Sequence, residues 1–146
     1  MLFAVALSVF GMPGAVGSML SGGLSDRFGR KKVIFASLAL SLPFFSIFLL
    51  ADSVFAIAAL AFAGFAIFSS IPVVIITAQE LFPGRVNTAS SLVMGLSWGI
   101  GGLLVTPLGA LAEVIGIGNA LFTLVGVGIV AAILVLFLPE TKQVES

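Results

Sequence analysis

Five long apolar runs without a charged residue constrain this chain more than any other feature. They cover residues 2–20, 33–50, 54–77, 90–112 and 120–138. Each is close to the roughly 20 residues that an α-helix needs to cross a hydrocarbon layer ~30 Å thick. The runs are continuously apolar, whereas the strands of a membrane barrel alternate polar and apolar residues. The sequence therefore predicts an all-α, polytopic membrane bundle of about five transmembrane helices in one domain.

The composition agrees with burial in lipid. Apolar residues make up 60% of the 146 residues and charged residues 8%, and a soluble domain of this size could not bury so much apolar surface in one core. Membrane lipid is thus the first predicted partner. The formal net charge is zero, and histidine and cysteine are absent. We therefore expect no nucleic-acid partner, no metal site, no cofactor and no enzymatic activity.

The first apolar run has an alternative interpretation as a secretory signal peptide, because it follows Met1 and contains small residues such as Ala15 and Gly17. A signal peptide requires basic residues before its apolar run, and none is present here. We expect the first span to be retained in the membrane.

All basic residues lie on one predicted side of the membrane. The positive-inside rule makes that side cytoplasmic, with the N-terminus outside and the C-terminus in the cytoplasm. No charge lies inside a predicted span, so the sequence contains no visible proton relay. The six basic residues are Arg27, Arg30, Lys31, Lys32, Arg85 and Lys142.

The densest motif, here called the motif segment (residues 22–32), reads GGLSDRFGRKK and joins the first two spans. Its three glycines would let helix ends and a tight turn approach closely, and Asp26 could accept hydrogen bonds at a neighbouring helix N-terminus. We predict that Asp26 acts as a conformational latch. The simpler alternative is a basic anchor that only fixes topology, which explains neither Asp26 nor the glycines.

The motif segment resembles the signature of the major facilitator superfamily, Gly-x-Leu-x-Asp-Arg-x-Gly-Arg-Lys, which lies between the second and third helices of each half. The resemblance implies that this loop is a conformational switch. The matching residues are Gly22, Leu24, Asp26, Arg27, Gly29, Arg30 and Lys31.

A second loop, residues 79–91, joins the third and fourth spans and contains a Pro-Gly turn. Asn87 or Thr88 is predicted to cap the next helix. Glu80 and Arg85 are expected to form an ion pair with each other or with the motif segment, and the simpler alternative is a solvated pair worth about 0 to 1 kcal/mol. With the glycine-rich fourth span, this loop resembles fosmidomycin-resistance-type efflux proteins of the same superfamily.

Two further features lie inside the spans. Gly95 and Gly99 have the small-xxx-small spacing that predicts close helix packing. Aromatic, thioether and hydroxyl side chains together suit an amphipathic small molecule, although methionine and serine also serve in ordinary helix packing. The predicted pocket residues are Met12, Ser69, Met94, Ser97 and Trp98.

Major facilitator proteins contain two six-helix halves, each an inverted pair of three-helix units. Counting from the motif segment, the resemblance implies a partial major facilitator fold corresponding to helices 8–12 of a twelve-helix transporter. A missing N-terminal transporter half is then the expected partner, and the bacterial inner membrane the expected location. The implied function is a partial secondary transporter, for small-molecule or drug efflux and antibiotic resistance by alternating access when complete. The alternatives are a non-functional product of a truncated gene and a small structural or regulatory membrane subunit.

Overall fold

The structure, a computed structural model, describes residues 2–51 and 54–139, with side chains described from residue 7 onward. Within these ranges five α-helices are long and apolar enough to cross a membrane, which confirms the predicted fold class. The helices are α1 (Leu2–Phe28), α2 (Arg30–Leu50), α3 (Val54–Leu81), α4 (Val86–Ile115) and α5 (Ile117–Val135), with a 3₁₀ turn at Pro83–Arg85.

Several helices extend beyond the apolar runs that predicted them. α1 continues past Leu20 to Phe28, and α2 starts at Arg30, so most of the motif segment is helical. At the other end of the chain, α5 stops at Val135 and Leu138 lies in the bend that follows. A charged residue ends an apolar run but does not break backbone hydrogen bonds, so a helix can continue into the headgroup region.

Single glycines form the joints between α1 and α2 and between α4 and α5. Gly29 has φ +91° and Gly116 has φ +86°, a region that side chains with a Cβ rarely adopt. The Gly29 amide donates to the carbonyl of Ser25 at 3.1 Å, and the Gly116 amide donates to that of Ala112 at 3.0 Å. Each glycine therefore ends one helix and allows the next to begin immediately.

α3 is the central helix of the described bundle. α1 and α2 each pack extensively along it, whereas they touch each other much less. α5 packs against α2 and α4, and α4 also contacts α3. α3 accordingly contributes nine buried residues, more than any other helix of the described chain, while Ala89 is the one buried residue of α4 there.

The closest helix approach joins α1 and α3 and is made by glycines of both helices. A Cβ on Gly64 would overlap the backbone carbonyl of Phe10, and a Cβ on Gly17 would overlap that of Phe65. The predicted pair on α4 behaves differently, because nothing lies within 4 Å of the Cβ position of Gly95 or Gly99. The prediction that this pair packs closely is thus wrong within the described chain, since spacing alone does not show which helix face has a neighbour.

The predicted cap of α4 is also wrong. The helix starts at Val86, and Asn87 and Thr88 lie in its first turn. The residue before the helix, Arg85, makes no side-chain capping bond. Because the 3₁₀ turn leads directly into α4, the helix begins before either predicted capping residue.

Candidate functional site

A polar cluster centred on Arg30 ties three helices together beside the Gly29 joint. Arg30 is the first residue of α2, and its Nε donates to Oε1 of Glu80 on α3 at 2.7 Å. Its Nη1 donates to Oδ1 of Asp26 at 3.1 Å and to Oγ of Ser25 at 3.0 Å, both on α1. Of the alternatives left open for Glu80, the structure shows the pairing with the motif segment.

The partners of Arg30 differ in how much water surrounds them. The Arg30 side chain is 16% exposed and that of Glu80 34%, whereas that of Asp26 is 65% exposed. Two guanidinium nitrogens approach the same Glu80 oxygen, and charge-assisted bonds with less solvent screening are the stronger ones. Arg30 and Glu80 thus form the main link across the cluster, and Asp26 adds a more solvated contact.

Ser25 is a member of the cluster to which the sequence interpretation gave no role. It is fully buried, and its hydroxyl donates to the carbonyl of Gly22 at 2.8 Å while accepting from Arg30. Serine in a helix often bonds back to the carbonyl one turn earlier. The sequence signal for this role was the position of Ser25, one helical turn before the Gly29 joint and five residues before Arg30.

The other residues of the predicted switch are dispersed around the joint. Gly22 lies inside α1, where nothing is within 4 Å of its Cβ position, so its predicted use at a turn is wrong and Gly29 makes the turn. Leu24 and Arg27 are exposed on the surface of α1, and Lys31 is half-buried. The structure therefore brings Asp26 and Arg30 together and leaves Gly22, Leu24, Arg27 and Lys31 outside the cluster.

A cleft of about 570 Å³ lies between α3 and α4. It contains three of the predicted pocket residues, Met94, Ser97 and Trp98, together with Ser70, and none of its lining residues is charged. The Trp98 side chain is 74% exposed in the described chain. The cleft combines an indole, a thioether and hydroxyl groups on an otherwise apolar wall, a composition suited to an uncharged or amphipathic small molecule.

The structure places the other two predicted pocket residues elsewhere. Ser69 is buried on the α1 side of α3, and its hydroxyl donates to the carbonyl of Phe65 at 2.7 Å. Successive helical residues differ by about 100° around the axis, which separates Ser69 from the cleft that Ser70 lines. Met12 lies on the surface of α1 and is 74% exposed.

The two glycine joints belong to an internal repeat that sequence reasoning missed. Residues 22–29 read GGLSDRFG and residues 109–116 read GALAEVIG, so glycine, leucine, an acid and glycine recur at the same spacing. Both segments end a long helix at a glycine with positive φ. Because successive spans alternate in direction, the two joints lie on opposite sides of the bundle, as in an inverted repeat.

Comparison with known proteins identifies the family of this chain. The family model described as Major Facilitator Superfamily matches residues 1–146. The chain belongs to the major facilitator superfamily. This membership accounts for the match of the motif segment to the superfamily signature.

Two curated relatives resemble this major facilitator chain along most of its length. It is 36% identical over 135 residues to the uncharacterized MFS-type transporter YfnC of Bacillus subtilis (strain 168), covering 92% of the chain and 33% of that protein. It is 30% identical over 142 residues to the fosmidomycin resistance protein of Escherichia coli (strain K12), covering 97% of the chain and 34% of that protein. The chain thus spans about a third of the length of these relatives. No solved structure gives a significant match.

Proposed function

We propose that this chain forms part of a secondary transporter that exports a small molecule by alternating access once the rest of the transporter is present. The observation that carries the proposal is the inverted repeat of the glycine joints, α1–Gly29–α2 and α4–Gly116–α5. Inverted repeats of this kind are the building units of each half of a secondary transporter of this type, and the two halves rock against each other. Membership of the superfamily supports the same function.

The repeat also supports a correspondence with helices 8–12 of a twelve-helix transporter. α3 is the first helix of its unit, and it packs on α1 and α2, the last two helices of the neighbouring unit. The same relation would bring the first helix of that neighbouring unit, which lies outside this sequence, against α4 and α5. A cleft of about 460 Å³ lies between α4 and α5 and is lined by residues such as Leu104, Pro107 and Val127. This cleft is the surface against which that helix would pack.

The cleft between α3 and α4 is the proposed substrate surface, with Ser70, Met94, Ser97 and Trp98 as its contact residues. Its uncharged lining favours an apolar or amphipathic compound over a small ion. One relative is named a fosmidomycin resistance protein, and this name supports drug efflux as the physiological role.

The Arg30 cluster is the proposed conformational switch. It joins α1, α2 and α3 at one membrane face, so a change in the relative position of these helices must break or stretch its bonds. An ion-pair cluster of this kind stabilises one arrangement of the helices, and its bonds can break without unfolding a helix. The positive-inside rule makes this face cytoplasmic, with the bacterial inner membrane as the proposed location.

The test is to express the chain in a drug-sensitive, efflux-deficient bacterial host, alone and with a polypeptide that supplies the seven remaining helices of a relative. We expect resistance only on co-expression, at equal membrane abundance of the chain. Trp98→Ala should reduce that resistance, whereas Phe137→Ala, which changes an aromatic residue that is also highly exposed but lies outside the cleft, should not.

Two results would contradict the proposal. Resistance from the chain alone would indicate a self-sufficient small transporter. Membrane insertion without resistance, even beside the seven-helix partner, would favour a structural subunit or the product of a truncated gene.

A further inference from the structure

A groove of about 440 Å³ runs between α1 and α2 on the side of the bundle away from α4. α1 and α2 are joined by Gly29 alone, but each packs mainly on α3. The two helices therefore leave a trough between them, and α3 forms its floor through residues such as Phe65 and Ala66. The α3–α4 cleft proposed for substrate shares no lining residue with this groove.

The groove has the length of one membrane leaflet. Its α1 wall extends from Gly17 to Phe28, which at 1.5 Å per residue is roughly 16 Å. That is about half of a hydrocarbon layer ~30 Å thick. The groove extends from Lys32, directly before the apolar run of α2, to Phe65, near the middle of the apolar run at residues 54–77 of α3. It therefore reaches from the membrane surface to about the midplane, which matches the depth of a lipid acyl chain.

The walls of the groove are suited to hydrocarbon. Leu20, Leu24 and Leu40 are exposed apolar residues along it. The buried Ser21 donates its hydroxyl proton to the carbonyl of Ser18 at 3.0 Å, as Ser69 does to Phe65. The hydroxyls of Ser21 and Ser69 therefore keep their hydrogen bonds when an acyl chain covers them, which lowers the desolvation cost of filling the groove.

One end of the groove carries a positive charge. Lys32 is the charged residue among the lining residues, and it lies on the first turn of α2 beside the Gly29 joint. Its side chain is exposed, whereas the neighbouring Arg30 is already bonded to Glu80 and Asp26. Basic residues at a membrane surface attract lipid phosphates. The Lys32 ammonium group can therefore bind the phosphate of a lipid whose acyl chain lies in the groove.

We propose that this groove is a binding site for an anionic phospholipid of the leaflet on the Gly29 side. One acyl chain lies between α1 and α2 on the floor formed by α3, and the phosphate lies against the Lys32 ammonium. The proposal concerns a lipid and does not depend on transport. A bound lipid would fill the wedge between two helices that meet mainly at their joint, and so would stabilise the helix arrangement next to the Arg30 cluster.

The test measures retained lipid on the whole chain, purified from mixed micelles that contain equal amounts of phosphatidylglycerol and phosphatidylcholine, by native mass spectrometry. We expect phosphatidylglycerol to be enriched about fivefold, the factor typical of one basic residue at an anionic surface. Lys32→Gln should abolish the enrichment and Lys32→Arg should preserve it. Lys31→Gln removes an equal charge from a residue outside the groove and should change the enrichment less than about twofold.

A second pair of variants tests the acyl-chain position independently of charge. Ala36→Phe places a ring in the groove and should reduce retention of both lipids, whereas Ala15→Phe adds the same ring to an exposed position outside it and should not. Circular dichroism of each variant verifies that the helices are intact. Equal effects of Lys31→Gln and Lys32→Gln, or unchanged retention in Ala36→Phe, would overturn the proposal and leave only a general attraction of the basic surface for anionic lipid.

Discussion

Replacing Gly64 with alanine should separate α1 from α3. The added methyl group would lie 2.9 Å from the backbone carbonyl carbon of Phe10 and closer still to its oxygen, whereas ordinary contact begins at 3.4 Å. The obstacle is backbone, which cannot turn aside as a flexible side chain can. α1 must therefore move away from α3 by more than 0.5 Å, because clearing the carbonyl carbon alone requires that shift and the oxygen lies closer.

The expected cost follows from the lost packing. A gap of 0.5 Å forfeits about a quarter of a contact worth ~0.15 kcal/mol, so ~50 atom pairs, the number that one buried leucine makes, lose about 2 kcal/mol. Measured costs of overpacking are about 1–3 kcal/mol. We therefore expect Gly64→Ala to lower the free energy of unfolding by about 2 kcal/mol.

The assay is reversible unfolding in mixed micelles of mild detergent and dodecyl sulfate, followed by circular dichroism. Gly99→Ala is the matched control, because it makes the same change within a helix where nothing lies within 4 Å of the new methyl group. The control should be neutral or stabilising by up to about 1 kcal/mol, the difference in helix propensity between glycine and alanine. Equal unfolding free energies for the two variants would refute the assignment of close packing to Gly64.

Three further predictions concern the charged face and the topology. In a double-mutant cycle of Arg30→Gln and Glu80→Gln, the coupling energy should be about 1–2 kcal/mol. The same cycle with Asp26→Asn should give ~0.5 kcal/mol, because Asp26 is more exposed than Glu80. Equal coupling energies would contradict the conclusion that Glu80 is the stronger partner of Arg30. In a complete transporter carrying this region, Asp26→Asn should lower the transport rate up to about fivefold, because it removes an ion pair with Arg30. The abundance of the protein in the membrane should not change, because topology depends on basic residues. An unaltered transport rate would favour the basic-anchor alternative. Gly84 and Gly118 are both exposed. A cysteine introduced at Gly118 should react with an impermeant thiol reagent from outside intact cells, whereas one introduced at Gly84 should not. Labelling of the cysteine at position 84 from outside would show that the predicted orientation is wrong.

The all-α membrane fold was predictable from the sequence because lipid imposes a single requirement on every span. A helix that satisfies its own backbone must be about 20 apolar residues long, and the five runs without charge meet that length. The family signature was equally local, since its residues lie within one stretch of the chain. Gly29 could likewise be assigned to a turn from its place between two apolar runs.

The partners of individual residues were decided by the tertiary structure. Gly64 and Gly99 both lie inside apolar helices, yet of the two only Gly64 faces another helix of the described chain, because packing depends on how each helix is rotated about its axis. Glu80 had two predicted partners, Arg85 and the motif segment, and the direction of α3 brought it to Arg30 of the motif segment. Ser69 and Ser70 are adjacent in sequence but line different grooves, since about 100° of helix rotation separates them. Apolar length specifies that a helix spans the membrane, whereas the face that it presents to each neighbour is set by contacts between residues far apart in the chain.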